Sequence, residues 1–63
     1  MLVKLTNANA DHDGNTLLLN TELIVSVFKG VNEADKGITY VFGLNNTWQV
    51  KETPEEIFDQ VKG

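Results

Sequence analysis

The polar run Asn9-Ala10-Asp11-His12-Asp13-Gly14 is the densest group of side chains in this sequence that could hold a cation or move a proton. Asn9, Asp11, Asp13 and Gly14 stand at the first, third, fifth and sixth positions of a calcium-loop pattern, in which side-chain oxygens surround a hard cation. That pattern needs a bidentate glutamate at its twelfth position, where this chain has Asn20. Leu17-Leu18-Leu19 reads as strand, so the flanking helix is missing as well. Asp and Asn ahead of a glycine are what a tight turn uses. The stretch is therefore expected to be a turn, without metal or other cofactor. His12 could act as a general base oriented by Asp11 or Asp13, but such a base needs a concave, partly dry site with a nucleophile or oxyanion donors beside it. A turn supplies neither. No Ser-His-Asp arrangement or Gly-rich phosphate loop is present, and Glu55-Glu56 is explained by helix initiation. The residues point away from an enzyme.

Tyr40, Phe42 and Trp48 are the other group with recognisable chemistry, since an aromatic strand face can stack the bases of a single strand. Such platforms sit among lysines and arginines that grip phosphates. This chain has five lysines, no arginine and nine acidic residues, for a net charge of -4. Nucleic acid is thus not the expected partner, and at least two of the three rings are expected beneath the C-terminal helix. A small nucleic-acid-binding regulator using the aromatic face stands as the alternative reading.

These side chains must be positioned by a small scaffold. The 63 residues are expected to form one domain, and a chain of this size buries only about 60% of the surface it exposes when unfolded. Small folds usually add a disulfide, a metal or a partner subunit. With no cysteine and one histidine, self-association is the support left. No apolar run approaches the eighteen or so residues of a membrane helix. The opening MLVKLTNANADHDG lacks the apolar stretch and cleavage region of a signal peptide, so a cytoplasmic location is expected.

Short apolar runs bounded by turn formers predict five strands: Leu2–Thr6, Thr16–Asn20, Ile24–Lys29, Ile38–Phe42 and Thr47–Lys51. Asn20-Thr21-Glu22 makes a tight corner, and Gly30 to Gly37 is a polar connection closing a hairpin. Alternation puts Ile38, Tyr40 and Phe42 on one face of the fourth strand, and Thr39 and Val41 on the other. Leu17 to Leu19, and Ile24, Val25, Val27 and Phe28, occupy both faces of their strands. One helix cannot cover both faces, so the sheet either curls on itself or meets another subunit. Leu18 and Val25 or Val27 are the candidates for that second surface.

The ending KETPEEIFDQVKG specifies the helix. Thr53 is a good N-cap, Pro54 suits the first helical position, and Glu56 completes a Thr-x-x-Glu capping box. Glu55 and Glu56 sit where the helix dipole is positive. Ile57, Phe58 and Val61 form an apolar stripe, and Lys62 and Gly63 suit the other end. A helix of about nine residues is marginal alone, so the stripe is expected to lie on the sheet. The expected fold is α+β: a curled antiparallel sheet of four to five strands, a partial barrel, capped by this helix.

The order of these features resembles the small flagellar-operon proteins of the FlbD/SwrD type. That family opens on I-x-L-T, continues with L-N-x-x-x-I and closes on V-x-E-(S/T)-x-E-E-(V/I). The matching residues are Val3, Leu5, Thr6, Leu19, Asn20, Ile24, Val50, Glu52, Thr53, Glu55, Glu56 and Ile57. The chain departs in its longer NANADHDGN loop, its GVNEADKG connection and the aromatic Tyr40-Val41-Phe42 strand, and is also similar to small uncharacterised proteins of bacteria and phages. The matched motifs are structural and contain no catalytic residue. The expected function is a non-enzymatic protein-interaction or regulatory module that acts as a homo-oligomer, with a second protein as a further possible partner.

Overall fold

The β-branched and aromatic runs, separated by turn formers, fold as five strands followed by one helix. A computed structural model describing residues 1–63 places β1 at Leu2–Thr6, β2 at Thr16–Asn20, β3 at Ser26–Lys29, β4 at Thr39–Phe42, β5 at Thr47–Val50 and α1 at Pro54–Lys62. Strands β1 and β2 form an antiparallel hairpin in which Leu2 lies opposite Asn20 and Thr6 opposite Thr16. Strands β3, β4 and β5 form a separate antiparallel sheet in sequence order. The fold is α+β, and no helix is long and apolar enough to cross a membrane.

The expected single curled sheet of four to five strands is replaced by two sheets, one of two strands and one of three, that do not close into a barrel. They meet at one isolated bridge, Asn7 to Val50, flanked by Ala8 N–H donating to Gln49 O at 2.8 Å and Lys51 N–H donating to Thr6 O at 2.9 Å. The ladder stops there because side chains occupy the groups that a longer one would need. Gln60 closes a ring with Lys4: the Lys4 N–H donates to Gln60 Oε1 and the Gln60 Nε2 donates to Lys4 O, both at 2.9 Å. Glu52 takes the Thr6 N–H and the Thr6 hydroxyl, each at 2.8 Å. These contacts satisfy the outward backbone of β1 at Lys4 and Thr6 without a neighbouring strand.

The third strand starts at Ser26 rather than Ile24. Asn20 accepts the Glu22 N–H through its side chain and nucleates a 3-10 turn over Thr21–Leu23, which Ile24 ends by donating to Thr21 O. A second 3-10 turn, Glu33–Asp35, lies inside the connection between β3 and β4.

The core sits between the two sheets. Val3, Leu5 and Leu19 come from the hairpin, Val41 and Val50 from the sheet, and Ile57 from α1, with Leu17, Ile24, Val27 and Trp48 packed partly around them. Alternation along β2 sends Leu17 and Leu19 inward and leaves Leu18, opposite Lys4, 60% exposed. In β4 the inward pair is Thr39 and Val41. Tyr40 and Phe42 therefore lie on the outer face with Phe28, so their expected burial beneath the helix is corrected. The space between the sheets is filled by Val3, Leu5, Leu19, Val41, Val50 and Ile57, and the two rings are turned outward. Trp48 stands opposite Val41 and so belongs to the inner face. The three aromatics do not share one surface.

The helix start is built as its residues specify. Thr53 Oγ1 accepts the Glu56 N–H at 3.1 Å and Glu56 Oε1 accepts the Thr53 N–H at 2.9 Å, and the Gly63 N–H reaches Asp59 O at the other end. The expected stripe is corrected, however. Ile57 is buried, but Phe58 is 62% and Val61 41% exposed. The contact of Gln60 with β1 sets the rotation of α1, turning the Ile57–Gln60 edge inward and carrying Phe58 and Val61 to the rim.

Candidate functional site

The polar turn from Asn7 to Asn15 is held by its own backbone. Asn9 accepts the Asp11 N–H through Oδ1 at 2.9 Å and the His12 N–H through its carbonyl at 3.0 Å. Asp13 pairs with Lys51 at 3.3 Å, both well exposed, an arrangement worth little in stability. His12 is exposed. No three of the Asp, Glu and His side chains come together anywhere in the fold, so the turn offers a cation no cluster of charged ligands.

Asp35 organises a second polar feature that sequence reasoning missed. Its carboxylate accepts the Asn32 N–H at 2.9 Å through Oδ1 and the Tyr40 hydroxyl at 3.2 Å through Oδ2. The spacing Asn32-x-x-Asp35 is a capping-box pattern, which was the available signal. Desolvation at the outer sheet face, then the hydrogen bond to Asp35 and its charge, raise the Tyr40 phenol above its usual value. Tyr40 is the only tyrosine, so an ultraviolet titration reads it directly. Ionisation is expected above the usual value of about 10, and Asp35→Asn is expected to bring it down. Because the folded-state value is the higher, the stabilisation is complete below the unfolded value and is lost as pH rises through the folded one. Indistinguishable titrations of the two proteins would show that the carboxylate does not act on the phenol.

The remaining candidates are apolar surfaces. A groove of about 310 Å³ runs between α1 and β3, lined by Thr21, Ile24, Val27, Pro54, Ile57, Phe58 and Val61. Val27 thus lies inside this groove, while Val25 is 64% exposed and belongs to a different surface. That surface is a depression of about 380 Å³, in which Leu23, Val25, Leu44 and Trp48 meet Glu22, Asn45 and Asn46. The outer face of the three-stranded sheet carries a third cluster. Phe28 meets Phe42 edge to face with centroids 5.6 Å apart, and Tyr40 stacks beside Phe42 at 6.4 Å. Among the aromatic residues proposed from sequence, the structure joins Tyr40 and Phe42, adds Phe28, and separates Trp48.

The sheet edges differ in the same way. The outward groups of β1 at Lys4 and Thr6 are capped by Gln60 and Glu52, whereas the outer edges of β2 and β3 have no neighbouring strand. Chemically, these surfaces can bury apolar groups and pair with backbone, and they present no aligned nucleophile and base. No protein-family description matches the chain, nor does any curated protein or solved structure.

Proposed function

We propose that the chain is a small non-enzymatic protein-interaction or regulatory module that acts in a cytoplasm as a homo-oligomer. The observation that carries this reading is the balance of apolar side chains. Six hydrophobic residues form the core, while ten large ones, including Leu18, Val25, Phe28, Phe58 and Val61, are exposed. Isolated exposed side chains such as Leu18 are ordinary. Six of the ten gather, however: Phe58 and Val61 at the groove, Leu23, Val25 and Leu44 at the depression and Phe28 on the aromatic face. Contiguous apolar surface marks association. A core of this size, without disulfide, gains most from a partner that covers such surface.

The resemblance to the FlbD/SwrD-type proteins supports the same reading. Its matched residues serve the fold: Val3, Leu5, Leu19, Val50 and Ile57 are core, Asn20, Thr53 and Glu56 are caps, and Thr6 is bonded to Glu52. The outer aromatic face is less suited to nucleic acid, since the carboxylate of Asp35 stands against Tyr40 and the chain has no arginine to hold phosphates.

Light scattering across a concentration series is expected to give a dimer or larger species, and the urea midpoint is expected to rise with protein concentration. Leu18→Lys or Val25→Lys is expected to yield a smaller species if its surface is covered. A 7.0 kDa particle at every concentration, with a midpoint independent of concentration, would remove the proposal.

A further inference from the structure

We infer that two copies of the chain pair through their β3 strands, antiparallel about a twofold axis at Phe28, to make one continuous six-stranded sheet. The inference rests on the homo-oligomer reading and specifies its contact. Strand β3 lies at the edge of its sheet. Its register with β4 (Ser26 opposite Phe42, Phe28 opposite Tyr40) continues to Gly30, whose N–H donates to Ile38 O at 2.8 Å. Antiparallel ladders alternate, so Ser26, Phe28 and Gly30 turn their backbone groups toward β4, and Val27 and Lys29 turn theirs away. No side chain reaches the backbone of those two residues, in contrast to the caps that Gln60 and Glu52 place on β1. The strand has no proline to blunt the edge, and its one charge, Lys29, lies on the inner face opposite Thr39 but stays exposed.

The residues along this edge complement themselves. With Phe28 opposite Phe28 of the second copy, Val27 faces Lys29 of that copy and exchanges both backbone hydrogen bonds with it. The two Phe28 rings then occupy a non-hydrogen-bonded pair, the closer kind, and the contact of Phe28 with Phe42 extends to four rings. The Val25 N–H is kept by Phe42 O at 2.7 Å, so the new ladder is confined to Val27 and Lys29. The pairing thus brings together two copies of Phe28, which is 58% exposed in one chain. Moving the axis to Lys29 would set two lysines opposite each other. Moving it to Val27 would pair Phe28 with Ser26 and separate the rings. The other open edge, β2, offers one exposed apolar side chain, Leu18, between Thr16 and Asn20, and is the poorer match.

The chain has no cysteine, so disulfide trapping reads the register without background. Phe28→Cys is expected to form a covalent dimer under mild oxidation at least tenfold faster than Leu18→Cys or Val27→Cys, because cross-strand Cβ atoms in a non-hydrogen-bonded pair approach disulfide spacing. Phe28 also contributes to the contact, so a second measurement leaves the side chains intact. At 63 residues the chain is within reach of chemical synthesis, and N-methylation of Val27 removes an outward donor without touching the bonds to β4. It is expected to weaken dimerisation at least tenfold, while N-methylation of Leu18 leaves it unchanged. A dimer that survives N-methylation of Val27, or a Leu18→Cys variant that cross-links fastest of the three, overturns the β3 contact and leaves the homo-oligomer standing. An unmodified chain that is monomeric throughout overturns both.

Discussion

Ile57→Ala is expected to cost about 3 kcal/mol, from lost burial and from the cavity left between the sheets, whereas Phe58→Ala is expected to cost less than about 1 kcal/mol. The two positions are adjacent on one helix and both carry large apolar side chains. Ile57 is buried against Val3, Leu5, Leu19, Val41 and Val50, while Phe58 stands at the rim with Lys62 Nζ 5.8 Å from its ring centre. A fold of this length has a total stability of roughly 3–9 kcal/mol, so Ile57→Ala is expected to leave little of it. Urea melts of both variants at low, equal protein concentration check the contrast. Equal midpoints would mean that α1 is rotated from its position here, or that the Phe58 ring is covered by a second chain. Repeating the Phe58→Ala melt at higher concentration separates these, because only a covered ring gains in importance with association.

The helix shows what can be read locally and what cannot. Its start was legible in Thr53-Pro54-Glu55-Glu56, because capping is a matter of neighbours three residues apart. Its facing was not, because the rotation is set by Gln60 reaching Lys4 across 56 positions, and nothing near Gln60 announces that contact. The same holds for the break between the sheets. Strand positions followed from composition and turns, to within two residues at β3, but the ladder between β1 and β5 is stopped by Glu52, which is bonded to Thr6 across 46 positions. In β4, alternation separated Tyr40 and Phe42 from Thr39 and Val41 correctly. It could not say which pair faces inward, since the answer depends on which face of the sheet β1 and β2 cover. Hydrophobicity favoured the rings, but the covered face is that of Thr39 and Val41. Leu18 was legible as a second-surface residue because its neighbours Leu17 and Leu19 demanded the first. The groove was not, since Val27, Ile24 and Phe58 reach it from separate elements.

Gly30→Ala is expected to destabilise the fold by about 2–3 kcal/mol, a cost typical of forcing an atom into occupied space. A Cβ on Gly30 would lie 2.9 Å from Asp35 Cγ and closer still to the Asp35 carbonyl oxygen. That backbone cannot swing aside like a flexible side chain. The same carbonyl accepts the Ile38 N–H at 3.0 Å, and the Asp35 carboxylate holds Asn32 and Tyr40, so moving it releases the whole connection between β3 and β4. The variant is therefore expected to lower the Tyr40 titration as well as the urea midpoint. Gly37→Ala is the informative control. Gly37 has φ +92° and nothing near its Cβ position, so alanine there brings only backbone strain, about 1–2 kcal/mol, and leaves the Asp35–Tyr40 contact intact. The two glycines bound the same connection, yet they differ in kind: one yields space to a carbonyl and the other bends the chain. If Gly30→Ala melted like the unmodified protein and left the Tyr40 titration in place, the close packing of Asp35 over Gly30 would not exist in solution. The clamp at the end of β3 would then have no part in holding that edge strand in register.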